Sequence, residues 1–156
     1  VIVMDLVQGR LDFCAEKLGI GHGIPFSPDG SHLAALEALT AGQLADVVID
    51  ATGSPQSMSS CFEYAAFTGR VVYVGITTSD LQFPHAPVFH RRELTLLASR
   101  NALPADFTAI IELIRRGKID TDPWITHRLG FDEVPDQFVR FTDPALGAIK
   151  AIIEVR

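Results

Sequence analysis

Val1-Ile-Val-Met-Asp5-Leu-Val-Gln-Gly-Arg10-Leu-Asp12 opens the chain and decides how the rest is read. Its first four residues are apolar and predict a buried strand. Asp5 stands at that strand's carboxyl end, and a turn leads on into a helix. In an open α/β sheet, ligands bind beyond the carboxyl ends of the strands. A lone carboxylate there either accepts hydrogen bonds from the two hydroxyls of a ribose or caps the turn, and the residues alone leave both readings open. Arg10 falls on the first helical turn behind the acid, where a cation lies beside an adenine or near phosphates.

The same grammar recurs along the chain. Residues 8–18 predict a helix with Leu11, Cys14, Ala15 and Leu18 on one face, and Gly19 as a left-handed cap. Residues 22–26 admit one short strand. The glycines of residues 19–30 do not make a phosphate loop, because they follow a helix and are interrupted by Pro25 and Pro28. Residues 31–41 predict a helix capped near Ser31 or Asp29, with Leu33, Leu36 and Leu39 inward and Gly42 at its end. Asp46-Val-Val-Ile-Asp-Ala-Thr52-Gly53 is a second buried strand ending in a small polar turn. Ser54-Pro55 then opens a helix with Met58, Cys61, Phe62, Ala65 and Ala66 as its buried stripe, closed by Gly69. Arg70–Ile76 is a third buried strand, residues 77–93 a polar, proline-containing connection, and Leu94–Ala98 a fourth strand ending in Ser99-Arg100-Asn101. Residues 106–116 predict a helix capped by Asp106, with Phe107, Ile110, Ile111 and Ile114 toward the core. Asp132 opens another, with Phe131, Val134, Phe138 and Phe141 in register. Residues 148–155 form a terminal strand interrupted by Lys150. Strand and helix alternate through residues 1–116, which argues a parallel sheet with helices on both faces.

Composition sets the outer limits. The chain has 156 residues, 47% of them hydrophobic and 21% charged, enough for one domain with a real core. A formal net charge of −6 counts against nucleic acid or an anionic membrane as the main partner, though not against an anionic cofactor held by a few local cations. Cys14 and Cys61 both lie on apolar stripes and read as small buried hydrophobes of a reducing compartment. No CxxC or HExxH pattern is present, so no metal site is expected from these residues. No run reads as a membrane span or a signal peptide. The sequence starts inside a strand without an initiator Met and reads as a fragment of a longer protein.

Taken in order, the strand ending in Asp5 with Arg10, Asp46–Gly53, Gly69–Ile76, Arg92–Asn101, Trp124-Ile-Thr-His127 and Gly147-Ala-Ile-Lys150 resemble one family. It is the medium-chain, zinc-type alcohol dehydrogenase superfamily, in its cofactor-binding half, with sorbitol, threonine and galactonate-type dehydrogenases as the nearest look-alikes. The resemblance covers the whole chain. It implies a Rossmann-like doubly wound sheet of order 3-2-1-4-5-6. It further implies a partial dinucleotide-binding domain over residues 1–156, in which residues 143–156 form a strand returning to this domain or to the missing catalytic one. Asp5 would bind the adenosine ribose, favouring NAD over NADP, and Arg10 would flank the adenine. Thr52 and Gly53 would lie under the cofactor. Val74, Gly75 and Ile76 would border the nicotinamide, with Ala98, Ser99 and Arg100 on its other side, and Lys150 would face the pyrophosphate. The family's Gly-rich fingerprint, the central strand that carries it, the zinc ligands and the proton relay are all absent, so two strands are left with unpaired inner edges. His127 would serve packing.

The implied parent is a cytoplasmic, NAD-dependent dehydrogenase of an alcohol, polyol or sugar acid, a homo-oligomer (dimer or tetramer) with zinc only in the missing domain. A zinc-free quinone or enone reductase of the same superfamily and a non-catalytic nucleotide-binding module are the alternatives. Asp5 counts against the first of these, which reads a 2′-phosphate with basic residues.

Overall fold

A computed structural model describes residues 1–155. The chain divides into two compact units, Val1–Asn101 and the residues from Ala102 onward.

In the first unit, β1 (Val3–Asp5) and β2 (Gly23–Pro25) pair in parallel, joined by α1 (Gln8–Leu18). α1 packs on both strands through Leu11. A Cβ at Gly23 would come to 3.2 Å from the Leu11 Cβ, so the missing side chain is what admits the helix. Gly19 takes the left-handed conformation predicted for it, and its N–H donates to the Cys14 carbonyl. α2 (Ser31–Leu39) leads to the second sheet. Asp29 Oδ1 accepts the Ser31 N–H at 2.9 Å, which holds its carboxyl down at about 2, and Leu36 is buried. Leu39, expected inward, is 46% exposed, because the helix ends there and Thr40 turns the chain away.

The second sheet has the order β3 (Ala45–Asp50), β4 (Ala65–Tyr73), β5 (Thr95–Ala98), all parallel. No ladder joins β1 to β3 among the described residues. The sheet is thus interrupted where a doubly wound order places its central strand, and β1 and β3 each keep an edge without a ladder. The fold is the predicted one, parallel sheets with helices on both faces. Register puts Val48, Asp50, Val71 and Tyr73 on one face of the three-stranded sheet. There Cys61, Phe62, Ala65, Val71 and Leu94 form the core. Phe62 is fully buried and stacks on Phe83 at 4.2 Å, with Phe89 edge-on at 5.8 Å. Burying such a ring contributes roughly 2–3 kcal/mol. On the opposite face Ile49 is 65% exposed, in line with exposed Val47 and Leu97.

Two expectations in this unit are corrected. The helix opened by Pro55 does not run to Gly69. α3 is Pro55–Ser60, a tighter turn follows over Cys61–Tyr64, and β4 begins at Ala65. The helical stripe stays buried because the tighter turn carries the same face onward. The residues 77–93 are not a plain connection either. His85–His90 make one wide helical turn, closed by Phe89 N–H to the Pro84 carbonyl and Leu94 N–H to the Phe89 carbonyl. Arg92 Nη1 anchors it by donating to the carbonyls of Glu63 at 3.0 Å and Ala65 at 2.9 Å. On the α2 side, His32 Nδ1–H donates to the Ser27 carbonyl at 2.7 Å and Nε2 accepts from the Tyr64 hydroxyl at 3.1 Å.

The second unit holds α4 (Pro104–Arg115), β6 (Ile125–Gly130), α5 (Val134–Gln137) and β7 (Lys150–Glu154). β7 is the terminal strand expected over residues 148–155, and it pairs in parallel with β6, where the sequence pattern gave no strand. Leu103, not Asp106, is the N-cap of α4; Asp106 sits one turn in, and its Oδ2 accepts the Leu103 N–H at 2.8 Å. Phe107, Ile110, Ile111 and Ile114 do share a face of α4, but that face is exposed, Phe107 by 62%. The predicted helix after Asp132 is broken. Residues Phe131–Glu133 and Phe138–Thr142 are tighter turns around the single α-turn of α5, so Phe131 and Phe138 are exposed, while Phe141 meets the His127 ring edge-on at 5.7 Å. No helix among the described residues is long and apolar enough to cross a membrane.

Candidate functional site

The residues singled out in the first unit gather at the carboxyl ends of β1, β3, β4 and β5. Asp5 is the last residue of β1. Its Oδ1 accepts the Val7 N–H at 2.8 Å, its carbonyl accepts the Phe26 N–H at 2.9 Å, and Arg10 Nη1 lies 3.5 Å from Oδ2. The spacing therefore does bring acid and cation together. Asp5 caps a turn and still offers lone pairs on a partly open carboxylate, so the capping reading and the ligand reading coexist. An open pair of this kind contributes no more than about 1 kcal/mol to stability.

At the end of β3 the chain turns sharply. The Thr52 N–H and hydroxyl both donate to Asp50 Oδ1 at 2.9 Å, and the Thr52 oxygen accepts the Ser54 N–H at 3.0 Å. Gly53 has φ +68°, a conformation side chains resist. Ser57 Oγ, on α3, donates to Asp50 Oδ2 at 2.5 Å. At the end of β4 the N–H groups of Val74 and Gly75 both donate to the Asp50 carbonyl, at 2.8 and 3.0 Å. Gly75 abuts Gly53, leaving no room for a Cβ on that side. Val74 and Ile76 are exposed beside it.

Ala98, Ser99 and Arg100 lie exposed at the end of β5, and the Ser99 N–H donates to the Tyr73 carbonyl at 2.8 Å. Lys150 belongs to the second unit, where it opens β7 opposite Ile125 and is exposed, so the burial cost that its place in an apolar strand suggested does not arise. Sequence reading missed Asp50 and Ser57. Asp50 is the last residue of an apolar strand two positions before a threonine, the pattern of a side chain that folds back on its own turn.

Beneath the turns the chemistry is quiet. Burial, and after it the charge of Asp50, pushes the Cys61 thiol up to about 12. Burial likewise raises the Tyr73 hydroxyl, which donates to the Met58 carbonyl at 2.5 Å. Both cysteines are free thiols. Cys61 is buried as predicted, whereas Cys14 is only half-buried. Among the described residues no group of three or more His, Cys, Asp and Glu is placed to hold a metal ion, so zinc does not fit this set. An accepting carboxylate ends β1, and the absence of side chains at residues 53 and 75 lets the turns after β3 and β4 pack backbone against backbone.

Residues 1–116 match the family described as zinc-binding dehydrogenase. L-galactonate-5-dehydrogenase of Escherichia coli (strain K12) is 35% identical over 153 residues, 98% of this chain and 44% of its own. D-xylulose reductase of Saccharomyces cerevisiae is 28% identical, over 99% of this chain and 44% of its own. The chain thus spans less than half the length of these curated relatives. Among solved structures, the apo zinc dependent alcohol dehydrogenase 2 from Streptococcus pneumonia superposes with a TM-score of 0.88 at 23% identity, over 98% of this chain and 44% of that one. A short chain alcohol dehydrogenase from E. coli CFT073, complexed with the cofactor NADH, gives 0.84 at 24% identity, over 99% and 44%. These likenesses carry the fold, and the family match carries the kinship: the chain belongs to the zinc-binding dehydrogenase family.

Proposed function

We propose that residues 1–156 are the cofactor-binding part of an NAD-dependent dehydrogenase that oxidises a secondary alcohol of a polyol or sugar acid. The observation that carries this reading is Asp5 at the end of β1, with Arg10 beside it and the Gly53–Gly75 contact at the ends of β3 and β4. The names of the relatives, a galactonate dehydrogenase and a xylulose reductase, supply the substrate class. When bound, the nicotinamide supplies the carbon that accepts or gives up hydride. This chain's residues bind and orient. Asp5 takes the ribose hydroxyls and repels a 2′-phosphate, and Arg10 lies along the adenine. Thr52 and Gly53 support the dinucleotide from below. Val74, Gly75 and Ile76 border the nicotinamide through backbone groups, with Ala98, Ser99 and Arg100 opposite. Zinc, the polarising group of the alcohol in this reading, is held by residues outside this sequence. The whole enzyme is read as a cytoplasmic homo-oligomer, dimer or tetramer.

Calorimetric titration with NAD and NADP tests the reading, on this chain and on the full-length protein that carries it, alongside a hydride-transfer assay on the latter with polyols and sugar acids. NAD binding to the full-length protein in preference to NADP, with turnover of a secondary alcohol, is the expected result. Binding of neither nucleotide by the full-length protein would overturn it.

A further inference from the structure

We propose that Asp50 is the positioning residue of the cofactor site, its carboxylate tying the Thr52–Gly53 turn to the start of α3 and so setting the shape against which the dinucleotide lies. The proposal rests on the cofactor reading given above. Asp50 is 4% exposed and is the one charged or polar residue in the buried core among the described residues. No cation lies within ion-pairing distance of it there. A buried carboxylate without a cation is retained only where donors surround it. Here they do: Oδ1 takes the Thr52 N–H and hydroxyl and Oδ2 takes the Ser57 hydroxyl, while the main-chain carbonyl of the same residue takes the N–H groups of Val74 and Gly75.

The pattern of these donors is the argument. They come from the turn after β3, from the first turn of α3 and from the turn after β4, and the first and last of these meet at the Gly53–Gly75 contact. Because the Thr52 hydroxyl donates to Asp50, its lone pairs point the other way and accept the Ser54 N–H, which fastens the turn to the helix. None of the five donated hydrogens is left over for a ligand. Asp50 therefore touches no cofactor atom. It sets where the turn through Thr52 and Gly53 stands, and a displacement of about 1 Å in a binding turn is costly.

The test uses the full-length protein with Asp50→Ala, Asp50→Asn and Ser57→Ala. The melting temperature is read without nucleotide, the NADH Kd by titration, and hydrogen exchange at the Thr52 and Gly75 amides. In folded Asp50→Ala the NADH Kd is expected to rise about tenfold or more, with faster exchange at the Thr52 amide, whose acceptor is the carboxylate, and little change at the Gly75 amide, whose acceptor is a main-chain carbonyl that alanine keeps. Asp50→Asn keeps an oxygen for Thr52 and turns an amide toward the Ser57 oxygen, so its Kd should stay within about threefold of the parent's. Ser57→Ala frees one carboxylate oxygen and should weaken NADH about threefold at a nearly unchanged melting temperature. Asp50→Ala that melts lower yet binds NADH like the parent overturns the proposal and leaves a merely structural acid. Should Asp50→Ala not fold, an unchanged NADH Kd in Ser57→Ala overturns it instead. If the unaltered protein binds neither NADH nor NADPH, the cofactor reading itself fails and takes this proposal with it.

Discussion

Gly75 lies so close to Gly53 that a Cβ on it would collide with the backbone nitrogen of residue 53 and come within 2.9 Å of its Cα. The colliding atoms are backbone, which cannot rotate aside as a side chain would. Gly75→Ala must therefore push the two turns apart. Overpacking of this kind costs about 1–3 kcal/mol. NADH binding should weaken about tenfold or more, since the affected backbone borders the nicotinamide in the proposed site. Titration of Gly75→Ala beside Gly9→Ala checks this, because a Cβ at Gly9 meets nothing within 4 Å.

In the proposed site Asp5 is the residue that discriminates between the two nucleotides. A carboxylate accepts from ribose hydroxyls and repels a phosphate in the same place, so Asp5→Ser removes both effects. Hydrogen bonds to a charged group are worth about 1.5–3 kcal/mol, which makes the expected loss of NAD affinity roughly ten- to a hundredfold. NADP affinity should hold or improve. A variant that kept the full NAD preference would remove Asp5 from the site.

What sequence reading could and could not see follows from what periodicity measures. Apolar runs at residues 1–5, 46–50 and 70–74 lie in single short strands, and Asp5 with Arg10 sits within one strand-to-helix step. All of that is local. The end of α3 is not. Met58, Cys61, Phe62, Ala65 and Ala66 keep one buried face while the backbone passes from α-helix through a tighter turn into β4. A hydrophobic stripe records the face and not the pitch. The change of pitch is stabilised by Arg92, far along the chain, donating to carbonyls of Glu63 and Ala65. Asp50 escaped notice for the same reason, since its carboxylate binds Ser57 on the next helix as well as its own turn. The apolar face of α4 predicts a buried helix, yet Phe107 and Ile111 remain exposed, because amphipathicity shows which face seeks cover and not what covers it.

Alkaline pH should destabilise the first unit. The buried Cys61 thiol titrates at about 12 instead of 9.0, and the Tyr73 and Tyr64 hydroxyls are raised as well, by burial first in each case. Between the unfolded and folded values the native chain keeps protons that the unfolded chain has lost. The stabilisation is complete below the unfolded thiol value and disappears as pH rises toward the folded one, at a slope of about 1.4 kcal/mol per pH unit for each retained proton. The melting temperature should fall from pH 9 toward 11, and Cys61→Ala should flatten that fall whatever its effect at neutral pH. An alkylating reagent at pH 8 should label half-buried Cys14 and spare Cys61 until denaturant is added.

Arg92 ties down the passage from the tighter turn after α3 into β4. Its Nη1 serves two carbonyls at once, while its own carbonyl accepts the Thr68 N–H at 2.7 Å, at a residue with φ of +60°. Arg92→Ala leaves both carbonyls without their donor in a half-buried site, at an expected cost of about 1–3 kcal/mol in urea unfolding. Arg92→Lys should recover only part of this, because a single ammonium on a flexible stem does not reproduce the fixed fork of the guanidinium. If the loss in Arg92→Ala were only general, amide exchange would rise evenly over the sheet. If Arg92 fixes the passage from helix to strand, exchange should rise first at Thr68 and at the start of β4, before Val71 and Val72 are affected.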